Sequence, residues 1–128
     1  MLDDGSFAHA VATLTAADPD LARVVARRGP PPFWRREPGF GTLIHIVLEQ
    51  QVSLASARAA FDRLTAVVPR LDPPGFLTLD DETLRRVGFS RQKAGYCRGL
   101  ARALAAGELD LDALEEMPDD EARAALTR

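Results

Sequence analysis

Lysine is almost missing from this chain. Its 16 basic residues are fifteen Arg and a single Lys, Lys93, which with the abundant Ala points to a GC-rich genome more than to a function. Cysteine is equally scarce. Cys97 stands alone, so no internal disulfide can form, and with no second thiol and no histidine near it in sequence neither a metal site nor a thiol nucleophile is supported. No apolar run reaches the roughly 18 residues of a membrane span. The start, Met1-Leu2-Asp3-Asp4, has no basic flank leading into an apolar stretch, so no signal peptide is expected. There is no internal repeat and no low-complexity tract.

What remains is ordinary for a globular protein. The chain has 128 residues, 46% apolar and 27% charged, enough for one domain over residues 1–128 with a real core. The net charge of −3 hides an asymmetry. Residues 1–105 carry 14 basic and 11 acidic side chains, whereas residues 106–128 carry 2 basic and 8 acidic. The body can therefore meet a polyanion while the acidic end faces away.

Apolar residues recur at three- and four-residue spacing, which predicts an all-α helical bundle. A first helix is expected to start after Asp4 or Ser6 and to run to about Ala16. Asp18-Pro19 opens a second, with Leu21, Val24 and Val25 inward and Gly29 as its stop. Gly29-Pro30-Pro31-Pro32 must be an extended connector. A third helix, about Gly39 to Gln51, is apolar nearly all round and belongs in the middle of a bundle. Ser53 caps a fourth to about Val67, with Ala57, Ala60, Phe61 and Leu64 inward. Asp72-Pro73-Pro74-Gly75 reads as a loop. Asp80 opens a short helix ending at Gly88, Ser90 a longer one to Ala106 with Gly107 as its stop, and two acidic pieces follow Asp110 and Pro118.

One junction stands out. The apolar helix stops at Gln50-Gln51, and Val52-Ser53 then starts another. With Asp18-Pro19-Asp20-Leu21, Phe40 through Ser53, Ala57, Arg63-Leu64 and Gly88-Phe89-Ser90-Arg91-Gln92-Lys93-Ala94, the chain resembles the alkylation-repair branch of the helix–hairpin–helix DNA glycosylases, the 3-methyladenine DNA glycosylase II family. The similarity runs in order over residues 15–128. In that family a glycine hairpin that grips a DNA phosphate follows, and then a catalytic aspartate. Residues 119–128 resemble the helix leading into that hairpin. Neither the hairpin nor the matching aspartate lies within residues 1–128, and Asp110, Asp112 and Asp119 stand before the hairpin position rather than after it. The resemblance thus implies the N-terminal part of a helix–hairpin–helix glycosylase domain, with no catalytic residue in this chain and little or no turnover from it alone.

The resemblance also assigns roles. A glycosylase must unstack and flip its base, at a cost of a few kcal/mol, and something must fill the gap. Gln51 aligns with the wedge, and its amide is long enough to bond the orphaned partner base. Gln50 would stiffen the loop. Ser53 caps its helix and is a candidate phosphate contact, as are the first-turn cations Arg91 and Lys93, which the helix dipole disfavours unless an anion is near. Each also has a plain reading, as a cap or a solvated charge. Phe33 and Trp34 are candidates for a pocket that holds a cationic alkylated purine against an electron-rich ring, although Trp34 also reads as core or hinge packing and Tyr96 as core. His45 is expected to be buried and hydrogen-bonded, and His9 to be exposed. No cofactor and no metal is implied. The implied partner is double-stranded DNA with alkylated bases, in the cytoplasm at a bacterial nucleoid. If the domain is cut at Arg128, Phe40, Ile46 and Leu126 form an apolar patch prone to self-association. The alternative is a non-catalytic helical DNA-binding or interaction module derived from the same family, and the blandest option is an α-bundle with no nucleic-acid role.

Overall fold

The computed structural model describes residues 2–127; the chain break expected at Arg128 lies outside them. Among the described residues the secondary structure is entirely helical. The chain forms two compact units, one up to Arg36 and one from Glu37 onward.

In the first unit α1 spans Asp4–Ala17 and α2 Pro19–Arg28. A reciprocal cap starts α1: the Asp3 carboxylate accepts from the Ser6 N–H at 2.7 Å, and the Asp3 N–H donates to the Ser6 hydroxyl at 2.8 Å. Asp18 caps α2 by accepting from the Asp20 N–H at 2.8 Å, with Pro19 in the first turn. The α2 face expected to point inward is largely open. Leu21 and Val24 are exposed, and with Val11, Leu14 and the triproline they line an apolar groove of about 340 Å³. Within this unit, two helices and a proline-rich extended segment supply too little chain to cover that face. Phe33 stacks on Phe7 with ring centres 4.6 Å apart, and the Arg35 guanidinium lies 4.8 Å from the Phe33 ring centre.

The second unit holds α3 (Phe40–Glu49), α4 (Leu54–Val67), α5 (Pro73–Leu77), α6 (Asp81–Val87), α7 (Arg91–Ala105), α8 (Leu111–Glu116) and α9 (Asp119–Leu126). Its core is apolar throughout: among the described residues no polar or charged one is buried. Ile44 and Leu48 of α3 meet Ala57, Ala60 and Leu64 of α4, and Leu84, Val87, Phe89, Cys97 and Ala101 close the other side. Phe76 sits at the centre, edge-on to Phe40 at 6.0 Å and to Phe89 at 5.7 Å. It rides on α5, where a loop was expected. The Asp72 carboxylate accepts the Gly75 N–H at 2.7 Å, and Pro73 and Pro74 occupy first-turn positions that need no N–H donor.

Other expectations change for equally local reasons. Phe40 is buried against Phe76 and so is no part of an exposed patch; Ile46 and Leu126 are exposed. Tyr96 is 61% exposed rather than core, its hydroxyl accepting from the Gln92 amide at 2.8 Å. His45 is only half-buried, stacked 4.5 Å from Phe61 and 3.5 Å from the Glu49 carboxylate. His9 is exposed, as expected. Cys97 is fully buried, and that burial pushes its thiol up to about 12, so it holds no reactive thiolate.

Candidate nucleic-acid interface

Helix α3 ends at Glu49, two residues earlier than its periodicity predicts. The reason is in the backbone. Gln51 adopts φ +59°, the one left-handed non-glycine conformation among the described residues. A residue with a side chain accepts that conformation at a cost of about 1–2 kcal/mol, and here it reverses the chain between α3 and α4. Gln51 is exposed at the tip. Gln50 braces the turn from behind, its side-chain amide donating to the Ile46 carbonyl at 3.3 Å. Ser53 secures the far side by accepting the Ser56 N–H at 3.1 Å.

Helix α7 arrives at the same end of α3. Ser90 caps it, accepting the Lys93 N–H at 3.1 Å. The Lys93 ammonium then reaches across and donates to the Leu48 carbonyl at 2.9 Å. A cation at the carbonyl end of α3 meets the negative pole of that helix, so Lys93 is a half-buried tether rather than a free surface charge. Two helix N-termini, those of α4 and α7, therefore flank the Gln50-Gln51 turn.

Other arginines are spent in the same manner. The Arg63 Nε donates to the Val87 carbonyl at 2.8 Å, at the end of α6. Arg98 bonds the Leu79 carbonyl at 3.1 Å and pairs with Asp81. Arg91 is different: it is exposed and lines a cleft of about 420 Å³ between α6 and α7 together with Arg85, Arg98 and Asp81. Arg85 was missed in the sequence because it reads as an ordinary cation in the last turn of α6. Phe33 and Trp34 lie in the first unit, Phe33 half-buried in its stack and Trp34 85% exposed, which excludes core packing for the tryptophan. The structure thus brings Gln50, Gln51, Ser53, Arg91 and Lys93 to one end of the second unit. Among the described residues no cluster of metal-ligating side chains is present.

Residues 44–126 match the family model of the HhH-GPD superfamily base excision DNA repair proteins. The chain belongs to that superfamily. The match begins inside α3 and takes in the glutamine turn, Ser53 and the whole of α7. Among solved structures this HhH-GPD chain is similar to a DNA-3-methyladenine glycosidase from Bacillus halodurans, with 28% identity, a TM-score of 0.78, and coverage of 91% of this chain and 55% of that one. It is also similar to the 3-methyladenine DNA glycosylase Mag1 of Schizosaccharomyces pombe in complex with abasic DNA, with 25% identity, a TM-score of 0.76, and coverage of 93% of this chain and 61% of that one. The chain thus spans little more than half the length of these glycosylases. No curated protein sequence matches it at a significant level.

Proposed function

We propose that residues 1–128 are the duplex-wedging part of a DNA glycosylase that removes alkylated purines of the 3-methyladenine type. The observation that carries this reading is the exposed, left-handed Gln51 at the tip of a turn braced by Gln50, Ser53 and Lys93. A wedge must hold its shape while it pays the unstacking cost of a flipped base, and a turn tied on three sides does that. The solved neighbours support the substrate class, both being 3-methyladenine enzymes, and one of them was solved on abasic DNA.

In this reading Gln51 enters the stack, and its amide bonds the base left unpaired. Ser53 and Arg91 lie toward the backbone phosphates. Phe33 and Trp34 are the aromatic candidates for a cationic purine, whose charge weakens the glycosidic bond and favours a π face. A carboxylate that stabilises the oxocarbenium-like sugar is required; the family places it in a segment that residues 1–128 do not contain. The test is base excision from methylated duplex. The chain joined to a hairpin-and-aspartate segment releases methylated purine, Gln51→Ala slows release without unfolding the protein, and residues 1–128 alone release next to none. Robust release by residues 1–128 alone, or full activity in Gln51→Ala, overturns the proposal.

A further inference from the structure

We infer that the cleft between α6 and α7 seats a DNA backbone phosphate, held by Arg85 and Arg91, beside the wedge and independent of the hairpin. The inference deepens the reading of this chain as a DNA-wedging domain and rests on it. The first-turn cations of α7 set the problem, since both oppose the positive pole of that 15-residue helix. Lys93 is explained by its bond to the Leu48 carbonyl. Arg91 has no such carbonyl. It instead lines the cleft, where Arg85 approaches from the last turn of α6 and Arg98 from about two turns further along α7.

The charges facing this space are three guanidinium groups and one carboxylate, Asp81. Asp81 is paired with Arg98, whose guanidinium also serves the Leu79 carbonyl. Arg85 and Arg91 are left as the uncompensated cations of the rim. The floor is the buried ring of Phe89, which adds no charge of its own. At the mouth stands the start of α7, where the Ser90 cap takes the Lys93 N–H and leaves the first N–H groups of the helix without an intrahelical partner. Two arginine forks and free backbone N–H donors around a cleft of about 420 Å³ match the needs of a phosphodiester oxygen pair. The start of α7, which borders this cleft, is tied by Lys93 to the end of α3 that leads into the glutamine turn.

The experiment is fluorescence anisotropy of a short labelled, undamaged duplex with the 128-residue chain across a salt series. Wild-type affinity falls with salt. Arg85→Ala and Arg91→Ala each weaken binding and flatten the slope of log K against log salt, and the double variant flattens it by roughly 0.9 in all, the value for the one phosphate the two arginines share. Arg23→Ala, on α2 and paired with Asp20, leaves the slope unchanged. Far-UV circular dichroism on both cleft variants shows the wild-type spectrum, since Arg85 and Arg91 are exposed. Slopes equal to wild type in both cleft variants overturn the phosphate seat while leaving the wedge reading intact. Absence of salt-dependent binding in the wild-type chain overturns both.

Discussion

The Lys93 ammonium donates a 2.9 Å hydrogen bond to the Leu48 carbonyl, joining residues 45 positions apart. This bond fixes the start of α7 against the end of α3 and so determines what surrounds the glutamine turn. It also converts the only lysine of an arginine-rich chain into a structural part. Replacing Lys93 with Met keeps most of the stem packing but removes a charged donor from a half-buried carbonyl. The expected loss of stability is about 1–3 kcal/mol, read as a lower urea midpoint with an unchanged denaturant slope. DNA affinity falls only to the extent that the fold does.

Gln51 allows stability and function to be separated. Glycine takes a left-handed conformation without the side-chain penalty but loses more entropy on folding, so Gln51→Gly is expected to change stability by no more than about 1 kcal/mol, in the stabilising direction. Under the proposed wedge role, the same variant in a complete enzyme loses the side chain that enters the stack. Thermal unfolding and single-turnover excision should therefore move in opposite directions. A variant that loses stability and activity together would mark Gln51 as structural.

Gly88 is the tightest backbone position at the α6–α7 corner. Its φ is +124°, and an added Cβ would stand 3.1 Å from both the Ala60 Cβ and the Arg63 Nη2. Gly88→Ala must strain the backbone and push Arg63 off the Val87 carbonyl. A loss of about 1–3 kcal/mol is expected, visible in chemical denaturation.

Asp80 predicts a pH dependence. Its carboxylate caps α6, and the hydrogen bonding from Thr83 holds its pKa below the ordinary 3.8. A folded pKa below the unfolded one means that the stabilisation is fully present above the unfolded value and is lost as pH falls through the folded value. Asp80→Asn keeps a capping oxygen without the titration. The variant should show a shallower decline in melting temperature below about pH 4 than wild type.

Cys97 should be inert to thiol reagents in the folded chain. It is fully buried, its thiol is pushed up to about 12, and Lys93 only partly offsets that burial. Labelling at neutral pH is expected to be at least about 100-fold slower than in denaturant, following opening of the core. Fast labelling of native protein would show that α7 is loosely packed.

Much of this protein could be read along the chain, because caps are local. Asp18-Pro19, Ser53, Asp80, Ser90 and Asp110 all start helices where the sequence places them, since each cap bonds an N–H only two or three residues away. The order of helices and their amphipathic spacing follow from the same local signals, whereas membership of the HhH-GPD superfamily rests on the match over residues 44–126. The Gln-Gln turn was visible as well, although its left-handed residue was not. That conformation comes from closing α3 onto α4, not from any preference of glutamine.

Tertiary structure decided the rest. Whether Lys93 and Arg98 are free cations or carbonyl tethers depends on Leu48 and Leu79, which only folding brings near. Whether Phe40, Trp34 and Tyr96 are inside or outside depends on how much chain is present to cover them, and their hydrophobicity alone does not say. Sequence determined the helices and the wedge candidate through contacts a few residues long. The structure determined which charges stay exposed and which bond to carbonyls, because a charge is spent or spared by neighbours that are distant in sequence.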